Sequence, residues 1–179
     1  MNALAHCAEA LYAAGRNATG DEHALEGARL IGKSLPLVLS DGHDLGARKT
    51  LLEGGMHGGI ALAAAGLGLA HAMAQAVGGR YGLHHGAANA LCLPPALRFN
   101  EPVAKAEIAR FGHALGANDP AACCEEFARL SGYRRLRDLG VPEDWLREVA
   151  EVTASRPGAL ANPRPASPQQ ILDLFRSIW

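Results

Sequence analysis

The sequence predicts an all-α protein, a multi-helix bundle in which residues 1–179 form a single helical domain. Alanine, leucine and glutamate are abundant, β-branched runs are few, and apolar residues recur at spacings of three and four. A chain of 179 residues is long enough to bury a hydrophobic core. No stretch indicates a strand with confidence, so we expect no nucleotide-binding sheet within these residues.

Charge and hydropathy exclude several classes of partner. The formal net charge is −1, so no global positive field attracts nucleic acid or an acidic membrane surface. The longest apolar stretch, residues 60–70, contains Gly66 and Gly68 and is too short to span a bilayer. Four cysteines without CxxC spacing, and no signal peptide at the start of the sequence, predict a cytoplasmic protein.

The first two helices are predicted from apolar spacing and loop signals. Residues 1–14 form a helix that begins at the first residue. Residues 15–20 form a loop, and Asp21 opens the second helix. Pro36 should kink or end that helix, because its ring removes a backbone donor.

The next two helices differ in their glycine content. Asp44 caps a long helix over residues 45–65, whose glycines at positions 54, 55, 58 and 59 let other helices approach closely. We therefore place this helix in the centre of the bundle. The following helix carries His71 and is predicted to break at the glycine-rich residues 78–82.

Prolines and caps mark the helices of the second half. Asn118 and Asp119 precede Pro120, which is a good start signal. Residues 155–168 are rich in proline and polar groups and are predicted to be a loop. The predicted helices cover residues 85–97, 102–115, 120–132, 140–154 and 168–179.

A candidate site emerges from histidine spacing. His71 and His85 would lie roughly 21 Å apart on one helix, but a turn within residues 78–82 could bring their imidazoles together. Asn2 and His6 are spaced i and i+4, so they share one helical face. Three imidazoles and one amide oxygen could then face one point from three segments.

Such a set of side chains could bind a metal ion, or it could have no function. Three neutral imidazoles are common ligands of zinc or ferrous iron, with a position left open for substrate or water. Asn2 is a poorer ligand than a carboxylate, so metal affinity should be weakened or lost. The alternative is that these histidines are ordinary surface or core groups.

Two segments resemble signatures of the iron-containing alcohol dehydrogenase family. Residues 2–12, NALAHCAEALY, resemble its DALxHxxEAY segment. Residues 66–90 resemble its second signature, in which a histidine and, fourteen residues later, the histidine of an HGxANA run bind the metal. The resemblance covers essentially the whole chain, including residues 30–36 and the NPRP run at residues 162–165.

The resemblance implies a fold, a ligand set and a branch of the family. The fold would be the dehydroquinate-synthase-like C-terminal helical domain, with metal-ligand positions at Asn2, His6, His71 and His85. Asparagine at position 2, where the family usually has aspartate, looks like the maleylacetate reductase branch, whose members need not hold a metal. That branch reduces maleylacetate to 3-oxoadipate with NADH or NADPH, in the degradation of aromatic compounds.

The resemblance also implies a missing half. Family members are about twice as long, with an amino-terminal NAD(P)-binding domain that we expect to be absent here or supplied by a separate chain. We predict a helical catalytic half of an NAD(P)H-dependent oxidoreductase that is inactive alone. His71 and His85 would be catalytic, and Arg80 would bind a substrate carboxylate. Many family members have a histidine four residues after His71, where this chain has Gln75. A role of that position in proton transfer is therefore not expected here.

Three other functions remain open. The chain could be half of a metal-dependent alcohol dehydrogenase that uses Fe²⁺ or Zn²⁺. It could be a non-catalytic interaction module whose apolar surface is buried in a homo-oligomer or against another protein. A self-sufficient three-histidine metal site for hydrolysis is the third. Expected partners are a small-molecule substrate and a second copy of the chain, with no nucleic acid and no membrane.

Overall fold

The computed structural model describes residues 1–179, and it confirms the all-α prediction, because it contains only helices and no strand. The helices are α1 (Asn2–Ala10), α2 (Ala18–Ser40), α3 (Leu45–Ala65), α4 (Leu69–Tyr81), α5 (His85–Leu115), α6 (Pro120–Leu130), α7 (Leu146–Ala154), α8 (Pro157–Leu160) and α9 (Pro168–Ser177). Two short 3₁₀ turns, Arg137–Leu139 and Glu143–Trp145, connect α6 to α7.

Buried apolar side chains form two clusters that share α5. The first joins α1, α2, α3 and α6 to α5, around side chains such as Leu4 and Phe111. The second joins α4, α7 and α9 to the first half of α5, around Met73 and Phe175. Helix α4 also contributes Ala70 to the first cluster, so α1 and α4 are adjacent where the two clusters meet, which is called the seam below.

The first helix is shorter than predicted. It ends at Ala10 rather than continuing over residues 1–14, and the chain then turns to Gly15. At Gly15 the backbone passes close to α3: a Cβ placed there would lie 2.5 Å from the carbonyl oxygen of Ala65. That tertiary approach, which the local sequence does not reveal, requires the chain to leave the helix.

The second helix is longer than predicted at both ends. It begins before Asp21, because the side-chain oxygen of Asn17 accepts a hydrogen bond from the Gly20 amide at 2.9 Å. It also continues through Pro36 to Ser40. The helix therefore does not end at Pro36, which was one of the two outcomes predicted there.

The glycines of α3 lie on two different faces. The predicted cap is confirmed, since the Asp44 side chain accepts from the backbone at the start of α3. A Cβ at Gly54 would lie 2.8 Å from a side-chain carbon of α2, and one at Gly58 would lie 2.7 Å from the Ala3 carbonyl oxygen. On the outer face, Leu52 is 75% exposed. The helix is thus packed closely on one side only, which corrects the prediction of a central position.

The turn between the two histidine helices is smaller than predicted. Instead of breaking over residues 78–82, α4 stays helical to Tyr81, and only Gly82 takes a left-handed conformation, with φ of 65°. Beyond it, α5 contains three prolines and consists of two helical segments that meet at a kink. Two helices are thus present as predicted, but the non-helical residue between them is Ala104, with φ of −129° and ψ of 32°, rather than residues 98–101.

The remaining elements differ from the predictions mainly at their ends. A short helix, α8, lies inside the predicted loop, and α7 begins after the second 3₁₀ turn rather than at Gly140. Asp119 caps α6 and Ser167 caps α9. No single helix is long and apolar enough to cross a membrane; only α3 and α4 together, with a bend of 104° between them, have that length and composition.

Candidate functional site

Six polar side chains from three helices meet at the seam between the two clusters. They are Asn2, His6 and Glu9 from α1, His71 from α4, and His85 and Asn89 from α5. The left-handed turn after α4 folds α5 back, so that the two predicted catalytic histidines lie with their ring centroids 5.8 Å apart. All four predicted ligand positions belong to this cluster.

The side chain of His71 is the centre of the cluster and is almost fully buried, with 1% exposure. Its Nδ1 lies 2.5 Å from Oε2 of Glu9, whose other oxygen accepts from the His71 backbone amide at 3.2 Å. Its Nε2 lies 3.1 Å from Oδ1 of Asn2. Oδ1 of Asn2 also accepts from Nδ2 of Asn89 at 2.9 Å, which fixes the orientation of that amide.

Both ring nitrogens of His71 therefore face oxygen acceptors. A neutral imidazole carries one N–H, so beside an ionised Glu9 it satisfies only one of them. Both contacts are made when Nε2–H donates to Asn2 and a second proton lies between Nδ1 and Glu9, either on the ring, as an imidazolium beside a carboxylate, or on Glu9, as a carboxylic acid beside a neutral ring. The arrangement holds a proton between His71 and Glu9 in the interior of the site.

Glu9 and Asn89 are members of this cluster that the histidine pattern missed. Glu9 lies seven residues after Asn2 and three after His6, so all three share one face of α1. Asn89 lies one turn after His85. This helical spacing is the sequence feature from which both residues could have been predicted to lie near the histidines.

The ring of His6 stacks on that of His71, with centroids 4.6 Å apart and an interplanar angle of 17°. His6 is 8% exposed, and its Nδ1 is buried without a hydrogen-bond partner. Burial, followed by the nearby charge of His71, lowers the pKa of His6 from 6.5 to about 4. His6 is therefore neutral at pH 7.

His85 is the exposed member of the cluster. Partial burial, followed by the charges of His71 and His84, lowers the pKa of the His85 imidazole. Nδ2 of Asn89 lies 3.1 Å from Nε2 of His85. When this amide donates, the proton of the neutral ring is on Nδ1, which makes His85 a polar group that can meet a ligand from solvent.

The arrangement does not fit a divalent metal ion as it stands. No group of three His, Cys, Asp or Glu side chains is placed to hold one. A ligand imidazole binds through a lone pair in its ring plane, but the nearly parallel planes of His6 and His71 do not converge on one point. Nε2 of His71 also donates a proton to Oδ1 of Asn2. A metal ion would need the lone pair of that nitrogen to be free.

Arg80 has partners away from the histidine cluster. Its guanidinium donates to both carboxylate oxygens of Glu148, at 2.7 and 3.3 Å, and stacks over Trp145 with 4.6 Å to the ring centroid. Gln75 likewise faces α8, with its side-chain oxygen 3.5 Å from Nη1 of Arg156. A substrate role for Arg80 stays a prediction that these contacts do not favour.

Comparison with known proteins identifies the family. The model described as "Fe-containing alcohol dehydrogenase family, C-terminal" matches residues 1–179. The chain belongs to this family. Its members' known structures share the fold: the maleylacetate reductase from Agrobacterium tumefaciens superposes with a TM-score of 0.91 at 36% identity, over 99% of this chain and 50% of that one.

Curated relatives within the iron-containing alcohol dehydrogenase family carry different names. The probable alcohol dehydrogenase EutG from Salmonella typhimurium is 35% identical, over 98% of this chain and 46% of that protein. The maleylacetate reductase from Sphingobium indicum is 34% identical, over 98% of this chain and 49% of that protein. The chain thus spans about half the length of these relatives.

Proposed function

We propose that this chain is the helical, substrate-facing half of an NAD(P)H-dependent oxidoreductase that resembles maleylacetate reductase. The observation that carries the proposal is the buried His71 ring, hydrogen-bonded to Glu9 and Asn2 behind the exposed His85. Similarity to maleylacetate reductases supports the substrate class, an unsaturated oxo acid.

The site suits a reduction that creates negative charge on the substrate. Hydride addition to a double bond conjugated with a carbonyl group places negative charge on the carbonyl oxygen, and a proton must then be added to carbon. A fixed proton in a water-poor interior stabilises such an oxyanion. His71 and Glu9 hold that proton from behind, while His85 contacts the substrate and passes a proton to it.

The nicotinamide cofactor supplies the hydride when it is bound. These 179 residues contain no strand and therefore no sheet with a glycine-rich phosphate loop. We propose that a nucleotide-binding half, in the same polypeptide or in a separate chain, holds the cofactor and closes over the His85 side of the cluster.

The test is oxidation of NAD(P)H with maleylacetate by the chain together with its nucleotide-binding half. The variant His85→Ala is expected to lower kcat by about a hundredfold or more. The control is His84→Ala, which removes the neighbouring exposed imidazole and is expected to leave kcat within a few fold. Full activity of His85→Ala would remove the assignment.

A metal-dependent alcohol dehydrogenase half is the second candidate, favoured by the gathering of His6, His71 and His85 in one cluster. The relatives of this chain include proteins named probable alcohol dehydrogenase and 1,3-propanediol dehydrogenase. Alcohol oxidation that requires added Fe²⁺ or Zn²⁺, and no reduction of maleylacetate, would favour this candidate.

A non-catalytic module that self-associates is the third candidate. The outer face of α3 favours it, because Leu45, Leu52 and Met56 are 78%, 75% and 55% exposed. Light scattering is expected to show a dimer or larger species that Leu52→Lys dissociates. A monomer at all concentrations would reject self-association.

A further inference from the structure

A concave site lies between α5, α6 and the segment that follows α6. Its volume is about 620 Å³, within the range of small-molecule sites. Four arginines line it: Arg129, Arg134, Arg135 and Arg137. Arg129 is neutralised by Glu126, which it binds through two hydrogen bonds. None of the histidine-cluster residues lines this cavity.

The other three guanidinium groups have no carboxylate partner. Arg134 makes no side-chain hydrogen bond or ion pair, and Arg135 donates only to the Ser177 carbonyl oxygen, at 3.0 Å. Arg137 lies over the ring of Trp179, with 5.6 Å to its centroid. Most of the N–H donors of these three side chains are therefore free to bind a ligand.

The cavity gathers three arginines without carboxylate partners, and the other arginines of this kind, such as Arg48 and Arg147, lie outside it. Six arginines form ion pairs with carboxylates: Arg16, Arg29, Arg80, Arg98, Arg110 and Arg129. Asp138 is also in the cavity lining, yet it forms no ion pair with any of them. Like charges around one concavity repel each other, and the walls of the cavity focus their field, so an anion is attracted there.

The cavity also has an apolar surface. Leu91 and Pro94 from α5, Ala128 from α6 and Ile178 near the end of the chain contribute apolar surface. The second acidic residue in the lining, Glu125, is neutralised by Arg98 from outside the cavity. A ligand that fills the cavity therefore needs an apolar body as well as negative charge. An inorganic anion would bind the guanidinium groups but would leave the apolar surface of the cavity exposed to water.

We propose that this cavity binds an organic phosphate, with the phosphate dianion on Arg134 and Arg135 and the apolar body on Leu91 and Pro94. A planar guanidinium donates two parallel hydrogen bonds to phosphate oxygens, and two such groups neutralise a dianion. Arg137 adds a third positive charge at the rim. A monocarboxylate would leave excess positive charge in the cavity.

Isothermal titration calorimetry of the 179-residue chain with phenyl phosphate tests the proposal. We expect one saturable site, a lower Kd than for inorganic phosphate or benzoate at equal ionic strength, and weaker binding at high salt. The double variant Arg134→Ala/Arg135→Ala is expected to raise the Kd by tenfold or more.

The matched control is Arg48→Ala/Arg147→Ala. It removes the same charge from two arginines without carboxylate partners, since Arg48 donates only to the Gly42 carbonyl oxygen. We expect it to change the Kd by less than threefold. Equal loss in both double variants would assign binding to the general field of the protein and overturn the proposal, as would equal affinity for benzoate or no binding at millimolar concentration. Circular dichroism confirms that each variant is folded.

Discussion

His71 is a single side chain whose hydrogen bonds hold a proton in a buried position. Glu9 and Asn2 lie against its two ring nitrogens in a position with 1% exposure, so a proton is held between His71 and Glu9. Burial, followed by the electrostatic effect of His71, lowers the pKa of His6 and of His85. The cluster thus combines a buried, proton-holding pair with an exposed imidazole that can meet a ligand.

Removal of the Glu9 carboxyl group should break the buried, proton-holding pair with His71. We expect Glu9→Gln to lower the free energy of unfolding by about 3 kcal/mol, measured by urea denaturation at pH 7. The control is Glu148→Gln, which breaks the exposed pair with Arg80 and should cost less than about 1 kcal/mol. Similar costs for the two variants would contradict the buried pair.

The lowered pKa of His6 predicts a stability that depends on pH. The unfolded chain binds a proton at His6 near pH 6.5, but the folded chain does so only near pH 4. The contribution is therefore present above pH 6.5 and is lost as the pH falls from 6.5 to about 4. We expect it to amount to up to about 3 kcal/mol of unfolding free energy.

A comparison of variants separates the contribution of His6 to the pH dependence of unfolding from that of carboxylates that titrate in the same pH range. The pH dependence of unfolding should be flatter between pH 6.5 and 4 for His6→Gln than for the unchanged chain. His43→Gln, which removes an exposed histidine from a turn, should leave the curve unchanged. Parallel curves for His6→Gln and the unchanged chain would reject the assignment.

At the scale of the element, α3 shows how one helix serves two environments. Gly54 and Gly58 let α2 and α1 approach its backbone, and this approach places α1 beside α4 and α5. Gly55 and Gly59 face open space. Helical spacing separates the two pairs, because residues four apart share a face and adjacent residues do not.

Alanine substitutions should distinguish these two faces. At Gly58 the new methyl group would lie 2.7 Å from the Ala3 carbonyl oxygen, so Gly58→Ala should destabilise the protein by about 1–3 kcal/mol. At Gly59 nothing lies within 4 Å, so Gly59→Ala should stabilise the helix by roughly 0.5–1 kcal/mol. Thermal unfolding of both variants measures the difference, and equal shifts would contradict the packing.

At the scale of the whole molecule, the histidine cluster joins the two hydrophobic clusters. His6 extends from α1 in the first cluster, and His71 extends from α4 in the second. The long α5 contributes to both and carries His85. A ligand that bound the three imidazoles would therefore connect both halves of the domain and stabilise the complete fold.

A carboxylate at position 2 should allow such a ligand to bind. In Asn2→Asp the added negative charge offsets a divalent cation, which can then displace the proton between position 2 and His71. We expect elemental analysis to show bound Zn²⁺ or Fe²⁺, with a higher Tm in excess metal. Asn2→Ala is the neutral control and should stay empty. If Asn2→Asp also stays empty, the three imidazoles do not converge in this chain.

Local signals in the sequence were sufficient for much of the fold. The caps at Asp44 and Asp119 and the apolar spacing predicted most helices, because both depend on neighbours within one or two turns. The errors arose where tertiary packing overrode a local signal. Examples are the continuation of α2 through Pro36 and the kink of α5 at Ala104 instead of between residues 97 and 102.

The residues of the candidate site divide in the same way. Spacing and resemblance were enough to single out Asn2, His6, His71 and His85, since a motif is a property of the chain alone. The proton on each ring depends on acceptors that distant helices bring together, and only the folded chain shows these. Glu9 and His71 are 62 positions apart in sequence and in direct contact in space, so their proton-holding pair exists only in the tertiary structure.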